Sequence, residues 1–189
     1  MTSKIALFGG SFDPFHLGHF LVARTAWERF FLNRVIFLPC AQSPLKSFQP
    51  LAPDSKRLDW LKTGLKGQGW AKVSSWEIDR SGISYSVETA RHWKMKNPQA
   101  GLYWILGSDQ WQQLPRWKNF SDLARLVHFL VFPRPEIPHK KPGVRMSVIP
   151  ARFDISSTEI RMRLKKGLSI KGLVPTELDG QLRRSRFYR

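Results

Sequence analysis

Two histidines, His16 and His19, lie three residues apart behind a glycine pair in the run Gly9-Gly10-Ser11-Phe12-Asp13-Pro14-Phe15-His16-Leu17-Gly18-His19. The run joins an apolar, strand-like segment at residues 5–8 to an amphipathic stretch that begins at Leu17. Glycines let backbone approach a bound group closely, and a helix start presents N–H groups with partial positive charge, so this junction reads as an anion cradle. With the helix starting near His16, the two histidines share a face and aim their rings at one group. Two imidazole donors would stabilise charge that develops on a phosphoryl group during transfer. Either histidine alone would read better as a cap or a packed side chain, but the pair in this position favours chemistry. A metal site is the weaker reading, because no third ligand lies nearby and Cys40 is distant in the chain. The spacing matches neither the Walker lysine loop nor a dinucleotide glycine fingerprint.

A second constellation is Ile155-Ser-Ser-Thr-Glu-Ile-Arg161. Ser156 followed three residues later by Glu159 is a capping-box signature, which starts a helix there and brings Arg161 into its first turns. Hydroxyls, a helix N-terminus and a guanidinium together suit triphosphate oxygens. Taken alone, an ordinary cap with a solvent-facing arginine accounts for the segment equally well. Trp117 and Asp109 carry the same ambiguity, since with eight tryptophans in the chain a core role for Trp117 is a serious alternative.

The elements that must hold these residues alternate. Strand patterns at residues 5–8, 35–38, 102–106 and 127–132, with a weaker one at 73–78, are separated by helical patterns from Leu17, from Asp54 (Leu58, Leu61, Leu65) and over 86–96. In the first helix the apolar positions are Leu21, Val22, Ala26, Trp27, Phe30 and Phe31. Such alternation predicts an α/β fold, doubly wound and Rossmann-like, with a mainly parallel sheet, helices on both faces, and ligand beyond the strands' carboxyl ends. Residues 1–189 read as one domain, with 155–189 as a small C-terminal helical part broken near Gly172 and Pro175. Residues 133–143, with four prolines, read as a loop.

Composition narrows the setting. Hydrophobic residues make up 42% and aromatics 13% of the 189 residues, enough for a real core, and no apolar stretch is long enough for a membrane span or secretory leader. A cytoplasmic protein is expected. The lone Cys40 excludes an intramolecular disulfide and reads as a quiet structural thiol. The net charge of +17 attracts polyanions, but it is diffuse apart from clusters at Arg183-Arg-Ser-Arg186 and His139-Lys-Lys141.

The run GGSFDPFHLGH resembles the signature of the HxGH nucleotidyltransferase superfamily, and its GGxFDPxHxGH form is similar to bacterial nicotinate-nucleotide adenylyltransferases. The segment EIDRSGISYSVET at 77–89, Gly107-Ser-Asp109 with Leu114-Pro-Arg-Trp117, Phe132-Pro-Arg-Pro135, the ISSTEIR run and the closing Phe187-Tyr188 follow in that family's order. The resemblance implies transfer of the adenylyl group of ATP to nicotinic acid mononucleotide in NAD biosynthesis. It implies catalytic roles for His16, His19, Lys46 and Arg161. ATP would meet Gly9, Gly10, Ser11, Phe12, His16, His19, Gly107, Asp109, Arg134, Ser156, Ser157 and Arg161. The acceptor would meet Lys46, Ser84, Tyr85, Ser86 and Trp117, with backbone N–H groups at 84–86 suiting a carboxylate. Mg²⁺ would arrive mainly on the phosphates of ATP, without a protein ligand set. Asp13 either fixes the loop or assists the metal. Departures from the pattern include Leu45 in place of histidine, Ser86 in place of threonine, Glu136 in place of glycine and Gly180-Gln181 in place of an aromatic-containing stretch. ATP and nicotinic acid mononucleotide are the expected partners, a homo-oligomer is allowed, and neither a membrane nor a specific nucleic acid is expected. Another superfamily member, acting on nicotinamide mononucleotide or phosphopantetheine, would share the phosphate machinery. A basic nucleic-acid-binding protein would account for the charge but not for HLGH or ISSTEIR.

Overall fold

The computed structural model describes residues 2–45, 49–134 and 138–189. Six strands form one sheet: β1 (Lys4–Gly10), β2 (Arg34–Pro39), β3 (Ala71–Val73), β4 (Gly101–Gly107), β5 (Val127–Phe132) and β6 (Met146–Val148). Their order is β3-β2-β1-β4-β5-β6, and each neighbouring pair is parallel. The helices are α1 (Leu17–Phe30), α2 (Asp54–Gly64), α3 (Trp76–Asp79), α4 (Ser86–Lys96), α5 (Ser108–Gln113), α6 (Phe120–Leu126), α7 (Ser157–Lys165) and α8 (Thr176–Arg184). The chain leaves β1 toward β2 on one side and reaches β4 on the other, so the loops after β1 and β4 diverge and open a crevice between them.

Period-two alternation sends successive strand residues to opposite faces. Ala6, Phe8, Val35, Phe37, Ile105 and Leu130 pack with α1, α2, α7 and α8. Ile5, Leu7, Ile36, Leu38, Trp104, Leu106 and Phe129 pack with α4, α5 and α6. Both faces are therefore covered, as the near-continuous apolar strands require.

Some details depart from the sequence pattern. The third strand ends at Val73, and residues 76–79 coil into α3, where Ser75 Oγ donates to Asp79 Oδ2 at 2.7 Å and the Asp79 N–H to the Ser75 carbonyl at 2.8 Å. β6, α5 and α6 are short elements with no long apolar period to announce them. Phe31, read as part of the apolar stripe, is the left-handed C-cap of α1 and is 83% exposed. The buried stripe of α2 runs through Arg57, Trp60 and Leu61, leaving Leu58 at its margin. Among the described residues, no helix is long and apolar enough to cross a membrane.

Candidate active site

A cleft of about 660 Å³ opens at the carboxyl ends of β1 and β4, and every candidate residue except Lys46 lines it. Lys46 lies outside the described residues. The cradle after β1 contributes Gly9, Gly10, Ser11, Phe12, His16 and His19; the turn after β4 contributes Gly107 and Asp109; Arg134 follows β5; and Ser156, Ser157 and Arg161 come from the start of α7. Ser84 and Tyr85 line the same cleft from the loop before α4, Ser86 from the first position of α4 and Trp117 from the turn after α5.

His16 is the N-cap of α1, and its Nδ1 accepts the His19 N–H at 3.3 Å. Because Nδ1 is an acceptor, the ring proton of the neutral form sits on Nε2, which is buried without a hydrogen-bond partner among the described residues. Burial, with Arg134 nearby, pushes the His16 pKa down to about 3. The two rings stack at 3.6 Å with 26° between planes, and His19 also stacks against Phe15 at 5.9 Å. The pair therefore shares a face, with His16 acting as a neutral donor and also as the peg that starts the helix. Gly18 makes this packing feasible: a Cβ there would lie 3.0 Å from the His16 ring and 3.2 Å from the Ile155 carbonyl oxygen.

A histidine whose folded pKa is depressed loses stability on acidification, because the unfolded chain takes up a proton that the folded one refuses. The contribution of His16 is present above pH 6.5 and declines as pH falls from there toward about 3. The urea midpoint of wild type should therefore fall more steeply across that window than that of His16→Gln, and parallel curves would contradict the burial argument.

Asp13 resolves toward the loop-fixing reading. Its Oδ2 accepts the Leu51 N–H at 2.8 Å, and its Oδ1 accepts the Ala52 N–H at 3.2 Å and the Tyr188 hydroxyl at 2.6 Å. Burial and the adjacent carboxylate push the Tyr188 hydroxyl pKa far up, so it remains a donor. Arg161 Nη1 donates to the Asp13 carbonyl at 2.8 Å and Nη2 to Thr158 Oγ1 at 3.1 Å, which staples α7 to the cradle.

The capping box is half formed: Ser156 Oγ accepts the Glu159 N–H at 3.1 Å. Ser157 differs from its expected hydroxyl role, since its Oγ donates to the Pro14 carbonyl at 3.0 Å; what Ser157 has left for a phosphate is its N–H in the first turn of α7. Gly107 ends β4 where a Cβ would collide with the Asp109 carboxylate, whose Oδ1 is buried without a partner among the described residues. Ser108 Oγ donates to the Arg134 carbonyl at 2.8 Å and accepts the Arg134 N–H at 2.7 Å, fixing the turn after β5.

On the opposite wall, Trp117 packs edge-on to Trp104 at 6.3 Å, with one side in the core and the other lining the cleft. The Ser84 N–H does not face a ligand: it donates to the Gln42 carbonyl at 2.9 Å, so the donors left on this wall are those at the start of α4, which has no side-chain cap. Buried Glu77, unassigned from sequence, accepts Thr89 Oγ1 at 2.6 Å, and burial pushes its pKa up. Cys40 is buried but lines the cleft, 3.7 Å from Ser11 Oγ, so it belongs to the site wall. Lys118 closes the rim, with Nζ 3.9 Å over the Tyr85 ring and 3.0 Å from Glu88.

A parallel α/β sheet with a histidine-bearing, glycine-led anion cradle at its switch point has the layout of a nucleotidyltransferase, and the cytidylyltransferase-like family model matches residues 7–163. A "Probable nicotinate-nucleotide adenylyltransferase" of Methylacidiphilum infernorum is 39% identical over 98% of this chain and 92% of its own length. One of the same name from Opitutus terrae is 38% identical over 98% of each. The chain therefore belongs to the cytidylyltransferase-like family and, within it, to the nicotinate-nucleotide adenylyltransferases. Its fold is also that of Plasmodium falciparum nicotinic acid mononucleotide adenylyltransferase, solved with NaAD, at a TM-score of 0.80 and 20% identity over 98% of this chain and 97% of that one.

Proposed function

We propose that this chain transfers the adenylyl group of ATP to nicotinic acid mononucleotide, giving nicotinic acid adenine dinucleotide and pyrophosphate. The observation that carries this reading is the convergence of two walls on one cradle: Asp109, Arg134 and the α7 start on one side, the α4 start and Trp117 on the other, with His16 and His19 between them. The acceptor's phosphate is already an anion, so in-line attack on the α-phosphorus needs no protein nucleophile; catalysis is positioning and charge stabilisation. His16 Nε2–H and His19 act on the α-phosphate, while Ser156, Arg161 and the first N–H groups of α7 hold the leaving end. Lys46 is assigned to the same phosphates on family resemblance. Asp109, with its open oxygen, accepts from the hydroxyl groups of the adenosine half, and Arg134 lies beside the adenine.

When bound on the phosphates of ATP, Mg²⁺ would supply charge neutralisation. The cleft fits an ion that arrives on its phosphates: both Asp13 oxygens are taken by donors, and the cradle presents N–H groups and cations to the phosphate oxygens. We assign the reaction to the cytoplasm, the setting expected from the sequence.

A carboxylate only accepts hydrogen bonds, whereas a carboxamide also presents two donors. The open start of α4 and its N-terminal partial charge therefore suit the acid and leave the amide's NH₂ facing donors. With saturating MgATP, kcat/KM should be higher for nicotinic acid mononucleotide than for the nicotinamide form. Trp117→Ala should raise the acceptor KM by roughly 10- to 100-fold, because it removes a stacking face worth about 1–3 kcal/mol. Pyrophosphate release measured with both acceptors decides this, and equal efficiency would overturn the acid assignment.

A further inference from the structure

Arg57 is a fully buried cation that none of the assigned roles uses. It projects from α2 to the underside of the cleft, where Nη1 donates to the Ser11 carbonyl at 2.6 Å and Nη2 to the Cys40 carbonyl at 2.8 Å. Among the described residues its one ion-pair partner is Asp54, three residues back on the same helix, whose side chain is 42% exposed. Burying a guanidinium is costly unless its donors find acceptors; both terminal nitrogens of Arg57 do, while Nε is buried without a partner among the described residues. The two carbonyls belong to the loops that leave the adjacent strands β1 and β2.

Peptide geometry says what those bonds accomplish. In a trans peptide the carbonyl of one residue and the N–H of the next point in opposite directions. Drawing the Ser11 carbonyl down to Arg57 turns the N–H of Phe12, a residue that lines the cleft, away from Arg57, and Phe12 is held at a φ of 45°. Drawing the Cys40 carbonyl down likewise turns the Ala41 N–H up, where it donates to Ser84 Oγ at 3.2 Å on the acceptor wall. The Cys40 N–H in turn donates to the Gly10 carbonyl at 3.0 Å, tying the two loops together.

We propose that Arg57 is a positioning residue that sets the phosphate cradle and the acceptor wall in register through one guanidinium. It is not among the residues that line the cleft, and the proposal rests on the adenylyl-transfer reading for its kinetic consequence alone. Lysine at 57 keeps the charge, but one ammonium cannot span two carbonyls in the fork geometry of arginine.

Arg57→Lys should therefore raise KM for both ATP and nicotinic acid mononucleotide and lower kcat/KM by about tenfold or more, the scale of one lost charged hydrogen bond. In ¹H–¹⁵N spectra of the whole chain, the Phe12 and Ala41 amide resonances should both shift in Arg57→Lys. Asp54→Asn, which leaves the two carbonyl bonds intact, should lower Tm without changing either KM or those two resonances. A purely structural Arg57 would give the opposite pattern, with Tm reduced in Arg57→Lys while both amides and both KM values stay at wild type. A change confined to one loop would overturn the proposal equally. If wild type made no dinucleotide, the adenylyl-transfer reading would fall, and the paired amide shifts would still decide the role of Arg57.

Discussion

His19→Ala is expected to lower kcat by roughly 10²- to 10³-fold while far-UV circular dichroism and ATP affinity stay near wild type. The ring stacks on His16 at 3.6 Å and lines the cleft where α1 begins. In the proposed role its imidazole meets charge that grows only as the α-phosphorus is transferred, so removing it should raise the barrier more than it weakens the ground-state complex. The hydrogen bond that caps the helix comes from the His19 backbone N–H, which alanine retains. Steady-state rates paired with calorimetric ATP binding separate the two effects. A variant with near-normal kcat would remove His19 from the catalytic role, and one that lost ATP binding in proportion would make it a binding residue.

Gly18→Ala should be nearly as damaging, for a steric reason. The new methyl would lie 3.0 Å from the His16 ring and 3.2 Å from the Ile155 carbonyl oxygen, on the two segments whose spacing defines the cradle. A ring can give way more readily than a backbone, so His16 should tilt off its capping position. Misplacing a donor by about 1 Å can reduce turnover by about 10²-fold. Overpacking at a buried site should also cost about 1–3 kcal/mol of stability. Denaturant melts and kcat should therefore fall together, unlike His19→Ala, where kcat falls alone. Wild-type values for both would show that the close approach of His16, Gly18 and Ile155 is not required.

The strands and the cradle were legible in the sequence because short apolar runs ending in glycine mark buried parallel strands whose ends must admit a ligand, as at Gly10 and Gly107. The capping box at Ser156 was legible for a similar reason, since its chemistry is local. What escaped depends on distant partners. Nothing near Ser157 indicates that its hydroxyl meets Pro14, 143 positions away, and nothing near Ser84 indicates that its N–H meets Gln42. Arg57 did leave a trace: it falls on the helical stripe of Trp60 and Leu61, and a charge on an apolar stripe asks for partners. The weak third strand read over 73–78 exists but lies earlier, at Ala71–Val73, because Ser75 and Asp79 offered the backbone a helical turn beyond it.

Adenylyl transfer to nicotinic acid mononucleotide can be followed with ATP that carries a radiolabel on its α-phosphorus. With Mg²⁺ and nicotinic acid mononucleotide, the label should appear in nicotinic acid adenine dinucleotide, matched one for one by unlabelled pyrophosphate, and His19→Ala should suppress both products together. Label that remained in ATP, or that left as AMP without a dinucleotide, would exclude adenylyl transfer to this acceptor.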